Sequence, residues 1–299
     1  MKIGILDFSY ANAEKSIRKV LDEAFYTVNL GDNAQSIGAR DLLFRLGYDP
    51  SNVVTVDRDT LPTYSGEPVA LIMNGVFYER NFPVAENVIP IFVGFCTKSE
   101  GLIQRYSEWF KRFEPIGCRD VETARLLAIH GVQAIVTGCV TMTFQRRARV
   151  PSKSRMLVVY GSGTGKLPPA VLKRIPHHLL DEAEFIYHRV PVNEIPLAEA
   201  SRRWIERYEE HLLVRYRREA RLVLTPLLHV ATPCLAMGIP TVICRTNLDT
   251  RFGFLEKHTR IYTPSDISEI EWNCEALDIR REAEDFTEEL QRKIKAATA

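Results

Sequence analysis

The sequence predicts an α/β protein built from two open, mostly parallel sheets in tandem, each flanked by helices, with a cleft between them. Three observations predict it. Short β-branched runs alternate with segments of helical period along the whole chain, which points to βαβ layering rather than a sandwich. The alternation breaks once, in a polar and basic stretch at 143–155 that contains Pro151, and then restarts. Several runs, such as 222–224 and 241–244, are apolar or β-branched at every position, as strands covered on both faces are.

In order along the chain, 2–6, 53–56, 69–73 and 89–95 read as strands, and 33–46, 101–113 and 121–130 as helices. After the break come a strand at 156–160, another at 185–188 and a long helix at 197–218. The strand at 222–224 leads to His229, a short helix and the strand at 241–244; a charged helix at 280–297 closes the sequence. Gly238 and Pro240 stop the short helix, and Pro233 is expected in its first turn, where a missing N–H costs least. That puts the helix start near Val230 and His229 at its mouth. The domains expected are 1–150 and 151–299, with the 280–297 helix part of the second.

A chain of 299 residues, 45% hydrophobic and 26% charged, has the profile of a water-soluble globular protein with enough length for two cores. The net charge of +1 gives no global field for nucleic acid. No apolar run reaches the ~20 residues that cross a bilayer, and the first ten residues do not read as a signal peptide. The six cysteines form no Cys-x-x-Cys pair and lie mostly in apolar segments, which fits inert thiols in a reducing cytoplasm.

His229 follows a strand, so it falls on the cleft edge where strand carboxyl ends gather. A helix mouth there offers free N–H groups and a positive dipole end to an anion, and an imidazole beside an anion can move a proton. A core histidine at a strand end is an equally good reading of the residues alone. Gly161 to Lys166, GSGTGK, lacks the Walker A spacing and the G-x-G-x-x-G spacing, and reads as a turn. In Gly31-Asp32-Asn33 either polar residue suits an N-cap, and Asp32 could also accept a proton from a sugar hydroxyl. Asp120 reads as the N-cap of the helix after it, which leaves Arg119 at a strand's carboxyl end to grip a carboxylate or phosphate. The basic cluster Arg146, Arg147, Arg149, Lys153 and Arg155 has no interleaved aromatics and reads as a solvated linker, with a phosphorylated or lipid-linked acceptor as the alternative contact. No spacing of His, Cys or carboxylates suggests a metal, and a G-x-S-x-G elbow is absent.

Taken together, these segments resemble the polysaccharide pyruvyltransferase family. The resemblance rests on Gly31-Asp32-Asn33, Asn74-Gly75, Gly117 to Asp120, Thr137 to Thr141, Thr225 to Pro240, Asp249 to Phe252 and Glu271 to Asn273, in that order over most of the chain. It implies a GT-B-like fold of two Rossmann-like domains. It also implies transfer of pyruvate from phosphoenolpyruvate to a hydroxyl of a cell-surface glycan or its lipid-linked precursor, as in exopolysaccharide synthesis. No cofactor is implied beyond the donor substrate. The partners implied are phosphoenolpyruvate and a saccharide, with peripheral membrane contact at most, no nucleic acid, and homo-oligomer formation left open. His229 corresponds to the family's proton-donating histidine, with Asp32 as the second catalytic group. Substrate contacts are implied at Arg119, Leu228, Thr225, Asn33, Asn74 and Gly75. One position departs: the family usually reads Thr-Ser-Arg-Leu-His where this chain has Thr225-Pro226-Leu227-Leu228-His229. A donor-binding arginine is therefore Leu227, and Arg245 or Arg251 would have to compensate. A nucleotide-sugar glycosyltransferase and a non-catalytic glycan-binding relative are the alternatives this departure keeps open.

Overall fold

The computed structural model describes residues 1–11 and 26–298. The first half runs β1 (Lys2–Asp7), β2 (Tyr26–Asn29), α1 (Gly31–Arg45), β3 (Val53–Asp57), β4 (Val69–Ile72), β5 (Gly75–Val76), β6 (Val88–Ile91) and β7 (Phe95–Cys96). It continues through α2 (Glu100–Lys111), β8 (Ile116–Cys118), α3 (Val121–Ile129) and β9 (Ala134–Val136). The second half begins with β10 (Arg155–Tyr160), two one-turn helices α4 (Pro169–Leu172) and α5 (His177–Leu180), β11 (Glu184–Tyr187) and β12 (Arg189–Val192). Then follow α6 (Glu199–Glu219), β13 (Ala220–Thr225), α7 (Leu228–Ala236), β14 (Thr241–Cys244), β15 (Ile261–Tyr262) and α8 (Arg280–Thr298).

Both halves are parallel sheets flanked by helices, the α/β architecture expected. The first has the order β3-β1-β4-β6 and the second β11-β10-β13-β14-β15. In the first half, β5-β7-β8-β9 form a further parallel sheet. It extends β4 and β6 past a bend, because Met73 N–H still donates to Ile91 O and Gly75 N–H to Gly94 O across the break. Gly94 makes the bend with a positive φ of 69°, and a side chain there would collide with the Asn74 amide. The strand expected at 89–95 is thus two short strands.

The halves are closely joined. β2 of the first half pairs antiparallel with β12 of the second, Val28 opposite Val190. Helix α1 packs on α6 and α7, and α8 returns to pack on β4, β6 and the turn Val140–Thr143. One core therefore runs through both halves, from Ile5 and Leu42 to Val223 and Phe286. A second, confined to the first half, is an aromatic cluster in which Phe77 stacks on Phe95 at 5.3 Å between centroids and Phe92 meets Phe95 edge-on at 5.2 Å. The third fills the outer face of the second sheet around Val158, Leu224 and Val242.

Two helix starts differ from the sequence expectation. Helix α1 starts at Gly31, two residues early, with Leu30 at the N-cap and Asn29 Oδ1 accepting the Gly31 N–H at 3.2 Å. Neither Asp32 nor Asn33 caps it; both lie within its first turn. Helix α7 starts at Leu228, so Pro233 falls in its second turn rather than its first. With no N–H at 233, the His229 carbonyl lacks its usual helical donor. The helix holds because it is almost wholly buried, so packing outweighs one missing hydrogen bond. Asp120 does cap its helix, accepting the Thr123 N–H at 2.9 Å. Between Thr143 and Arg155 there is neither helix nor strand.

Candidate functional site

Helices α1 and α7 begin against one another. Gly31, the first residue of α1, has no room for a side chain because a Cβ there would overlap the His229 ring. His229 is the second residue of α7 and is half-buried. Two positive helix ends thus converge on one imidazole.

Arg119, whose charge acts on this imidazole, follows β8 and is 2% exposed. Its Nη1 donates to Gln35 Oε1 at 3.5 Å, while Nε and Nη2 have no hydrogen-bond partner. Gln35 also accepts from Asn74 Nδ2 at 3.0 Å and reaches the Gly31 carbonyl at 3.4 Å, which ties the arginine to the start of α1. Asn74 Oδ1 in turn accepts the Val140 N–H at 3.0 Å. Burial works against the Arg119 charge, yet the neighbouring Cys96, Cys139 and Asp120 side chains more than offset it, so the guanidinium stays protonated. A buried cation with open donors costs free energy that an anionic ligand would recover.

Arg251 is the second cation. Asp249 holds it in a fork, Nε to Oδ1 at 3.0 Å and Nη2 to Oδ2 at 2.6 Å, and Lys98 Nζ lies 3.6 Å from the same carboxylate. Burial alone would raise the Asp249 pKa, but the bonds from Arg251 hold it well below the usual carboxylate range. For His229 every influence has one sign. Burial comes first, then the charges of Arg119, Arg251 and His188, and all push its pKa well below the ordinary 6.5. The imidazole is neutral in the unliganded protein.

Asp32 lies next to Gly31 and accepts the Tyr10 hydroxyl at 3.1 Å through Oδ2. Burial, then the Asp32 charge, raises the Tyr10 pKa well above its ordinary value, so the phenol remains a donor. Buried Arg58 contributes positive charge here; it is braced by Asp59 at 3.4 Å and lies over the Phe8 ring at 4.8 Å.

His229, Arg119, Arg251, Asp32 and Asn74 are thus gathered around the start of α1. Other expected residues serve elsewhere. Arg245 is committed to the carbonyls of Pro226 and Asn247 and lies 4.4 Å over the Phe252 ring, and it is the Arg251 charge that acts on the histidine. Thr225 accepts the Leu227 N–H at 3.0 Å and is fully buried. Asn33 lines a separate cavity of about 400 Å³ with Asp7, Asp57 and Arg202. Gly75 packs under Leu6, and Leu228 is buried in the core shared by both halves. Leu227 lies under the glycine-rich turn: a Cβ on Gly165 would come within 2.7 Å of its Cδ2, and one on Gly161 within 3.4 Å. The GSGTGK segment folds back on itself, Gly161 N–H to Gly165 O at 2.8 Å.

Sequence reasoning missed Gln35, Tyr10, Arg58, Cys96 and Lys98. Only Gln35 carried a signal, since it lies one helical turn after Gly31. Among the described residues no group of three or more His, Cys, Asp or Glu could hold a metal ion, and no helix is long and apolar enough to cross a membrane.

The sequence profile of a family described as polysaccharide pyruvyl transferase matches residues 29–247. No curated protein matches the chain. Among solved structures, accessory secretory protein 1, 2 and 3 of Streptococcus pneumoniae aligns at 13% identity over 89% of this chain and 55% of that one, with a TM-score of 0.38. The chain spans about half of that protein's length. A putative UDP-N-acetylglucosamine 2-epimerase from Listeria monocytogenes aligns at 9% identity over 99% of this chain and 96% of that one, with a TM-score of 0.37.

Proposed function

Because the chain belongs to the polysaccharide pyruvyl transferase family, we propose that it transfers pyruvate from phosphoenolpyruvate to a glycan hydroxyl at the His229 site. The observation that carries this is an imidazole kept neutral by burial and by the charges of two guanidiniums, Arg119 with open donors and Arg251 forked on Asp249.

Phosphoenolpyruvate carries a phosphate and a carboxylate, and Arg119 and Arg251 are the cations that receive them. Their charge is then neutralised, so the two groups that depress the His229 pKa lose much of their effect. The imidazole takes up a proton as the donor binds. It delivers that proton to the methylene carbon, and the adjacent carbon becomes an oxocarbenium centre. A sugar hydroxyl attacks that carbon and gives its proton to Asp32, which Tyr10 orients. The bond from the same carbon to the phosphate oxygen then breaks, phosphate departs, and a second hydroxyl closes the ketal, giving its proton to the now neutral His229 imidazole. The acceptor is a surface glycan or its lipid-linked precursor.

In place of the family arginine, Leu227 supports the glycine-rich turn. One cation fewer on that side costs donor affinity, about 1.5–3 kcal/mol per charged hydrogen bond, and Arg251 supplies the replacement. The same substitution favours a second reading, a nucleotide-sugar donor on the same scaffold. A thermal-shift comparison separates the two, since a ligand that binds only the native state stabilises it. Phosphoenolpyruvate should raise Tm in the wild type and much less in Arg119→Ala and Arg251→Ala. A rise with a nucleotide sugar and none with phosphoenolpyruvate would overturn the first reading.

A further inference from the structure

Away from His229, the segment between the halves and the last turn of α6 form a groove of about 610 Å³ lined by Arg146, Arg147, Arg149, Lys153, Arg217 and Arg218. No Asp or Glu lines it, and among the described residues none of the six forms an ion pair. The arginines beside it behave differently. Arg215 pairs with Glu184 at 2.6 Å and with Glu219 at 2.9 Å, and Arg155 lies 3.5 Å from Glu184.

Three of the six are braced from behind by backbone carbonyls. Arg147 Nη1 donates to Ala220 O at 2.6 Å, Arg217 Nη2 to Gln145 O at 3.0 Å and Arg146 Nη1 to Leu277 O at 3.1 Å. The Arg147 N–H also donates to Met237 O at 3.0 Å, which pins the segment to the end of α7. Arg217 and Arg218 suit the negative end of α6. That helix end accounts for neither Arg149 nor Lys153, which are exposed and make no side-chain hydrogen bond among the described residues. Between them Val150 is 64% exposed, an apolar tip inside a ring of cations.

We propose that this groove docks the protein on an anionic phospholipid surface, with lipid phosphates in the cationic channel and Val150 entering the headgroup layer. Cations that concentrate on one face and lack carboxylate partners are attracted to a negative leaflet. An exposed aliphatic tip among them suits the boundary between headgroups and acyl chains. RNA fits less well, because residues 145–153 contain no aromatic side chain on which a base could stack.

The test is flotation of the full chain with phosphatidylcholine vesicles, with and without phosphatidylglycerol. Binding is expected only when phosphatidylglycerol is present, and it should weaken as salt rises. Each neutralised cation should cost about fivefold in binding, so an Arg149→Glu and Lys153→Glu double variant should lose more than tenfold. Both side chains are exposed, so the variant should keep its Tm, and Val150→Asp should weaken binding with the salt dependence unchanged. The proposal fails if anionic vesicles do not bind. It fails equally if the charge-reversed variant binds like wild type, or if a single-stranded RNA displaces the vesicles from the groove.

Discussion

His229 and His188 are two histidines in the interior of the same protein, and their neighbours give them opposite tasks. His188 follows β11 and is 1% exposed; its Nε2 lies 2.8 Å from Glu209 Oε2 on α6, and both side chains are sealed from water. Burial raises the Glu209 pKa, and His188 opposes that rise. The pair fastens the end of one strand to the long helix. His229 feels the charges of Arg119 and Arg251 instead and, among the described residues, forms no ion pair with a carboxylate. The two imidazoles differ in what surrounds them: a buried carboxylate in one case, and burial together with two guanidinium charges in the other. One histidine is a strut; in the proposed reaction the other gains its proton when the donor anion binds.

Four perturbations break or sharpen this contrast. The largest is His229→Ala, which should lower pyruvyl transfer by at least about 10²-fold, the usual worth of a proton-transferring group, with the urea midpoint little changed. Turnover equal to wild type would remove His229 from the chemistry. Glu209→Ala should do the reverse. It strands His188 in the core and should cost roughly 3–5 kcal/mol of stability, measured by urea denaturation, while the folded fraction keeps its turnover number. A folded Glu209→Ala protein with no turnover would erase the distinction between the two histidines.

Gly31→Ala is the next step down. Its Cβ would push the His229 ring aside, and a displacement of that kind costs on the order of 10²-fold in rate. The readout is kcat with Tm as the control for folding; a normal kcat would mean that the ring's seat on Gly31 is not needed. The smallest effect is on the pH dependence of stability. The folded His229 pKa lies below the ordinary 6.5, so the unfolded chain protonates first as pH falls. The contribution of this residue is complete above 6.5 and is lost below it, at up to about 1.4 kcal/mol per pH unit until the depressed folded value is reached. His229→Gln should flatten that slope below about pH 6.5. An identical slope in the variant would show that the imidazole is not held neutral.

The periodic parts of the fold were legible from residues alone. The β-branched runs at 222–224 and 241–244 gave two neighbouring strands of the second sheet, and Asp120 gave a helix cap. Helix starts were harder. Asp32 and Asn33 look like caps, but the close approach of Gly31 to His229 pulls α1 two residues back. Pro233 looks like a first-turn residue, but the burial of α7 carries it into the second. Both errors arise because tertiary packing outweighs a local preference worth about 1–3 kcal/mol.

By itself the sequence determined that two parallel α/β layers form, that His229 follows a strand of the second, and that Arg119 follows a strand of the first. These are consequences of local period and short-range turn chemistry. Only the tertiary structure brought the charges of Arg119 and Arg251 to bear on His229 and committed Arg245 to backbone carbonyls. It also decided that Leu227 supports a glycine turn in the place where an arginine was expected. Those outcomes depend on contacts between residues far apart in the chain, and on burial, which sets the His229 proton through the charges gathered around it.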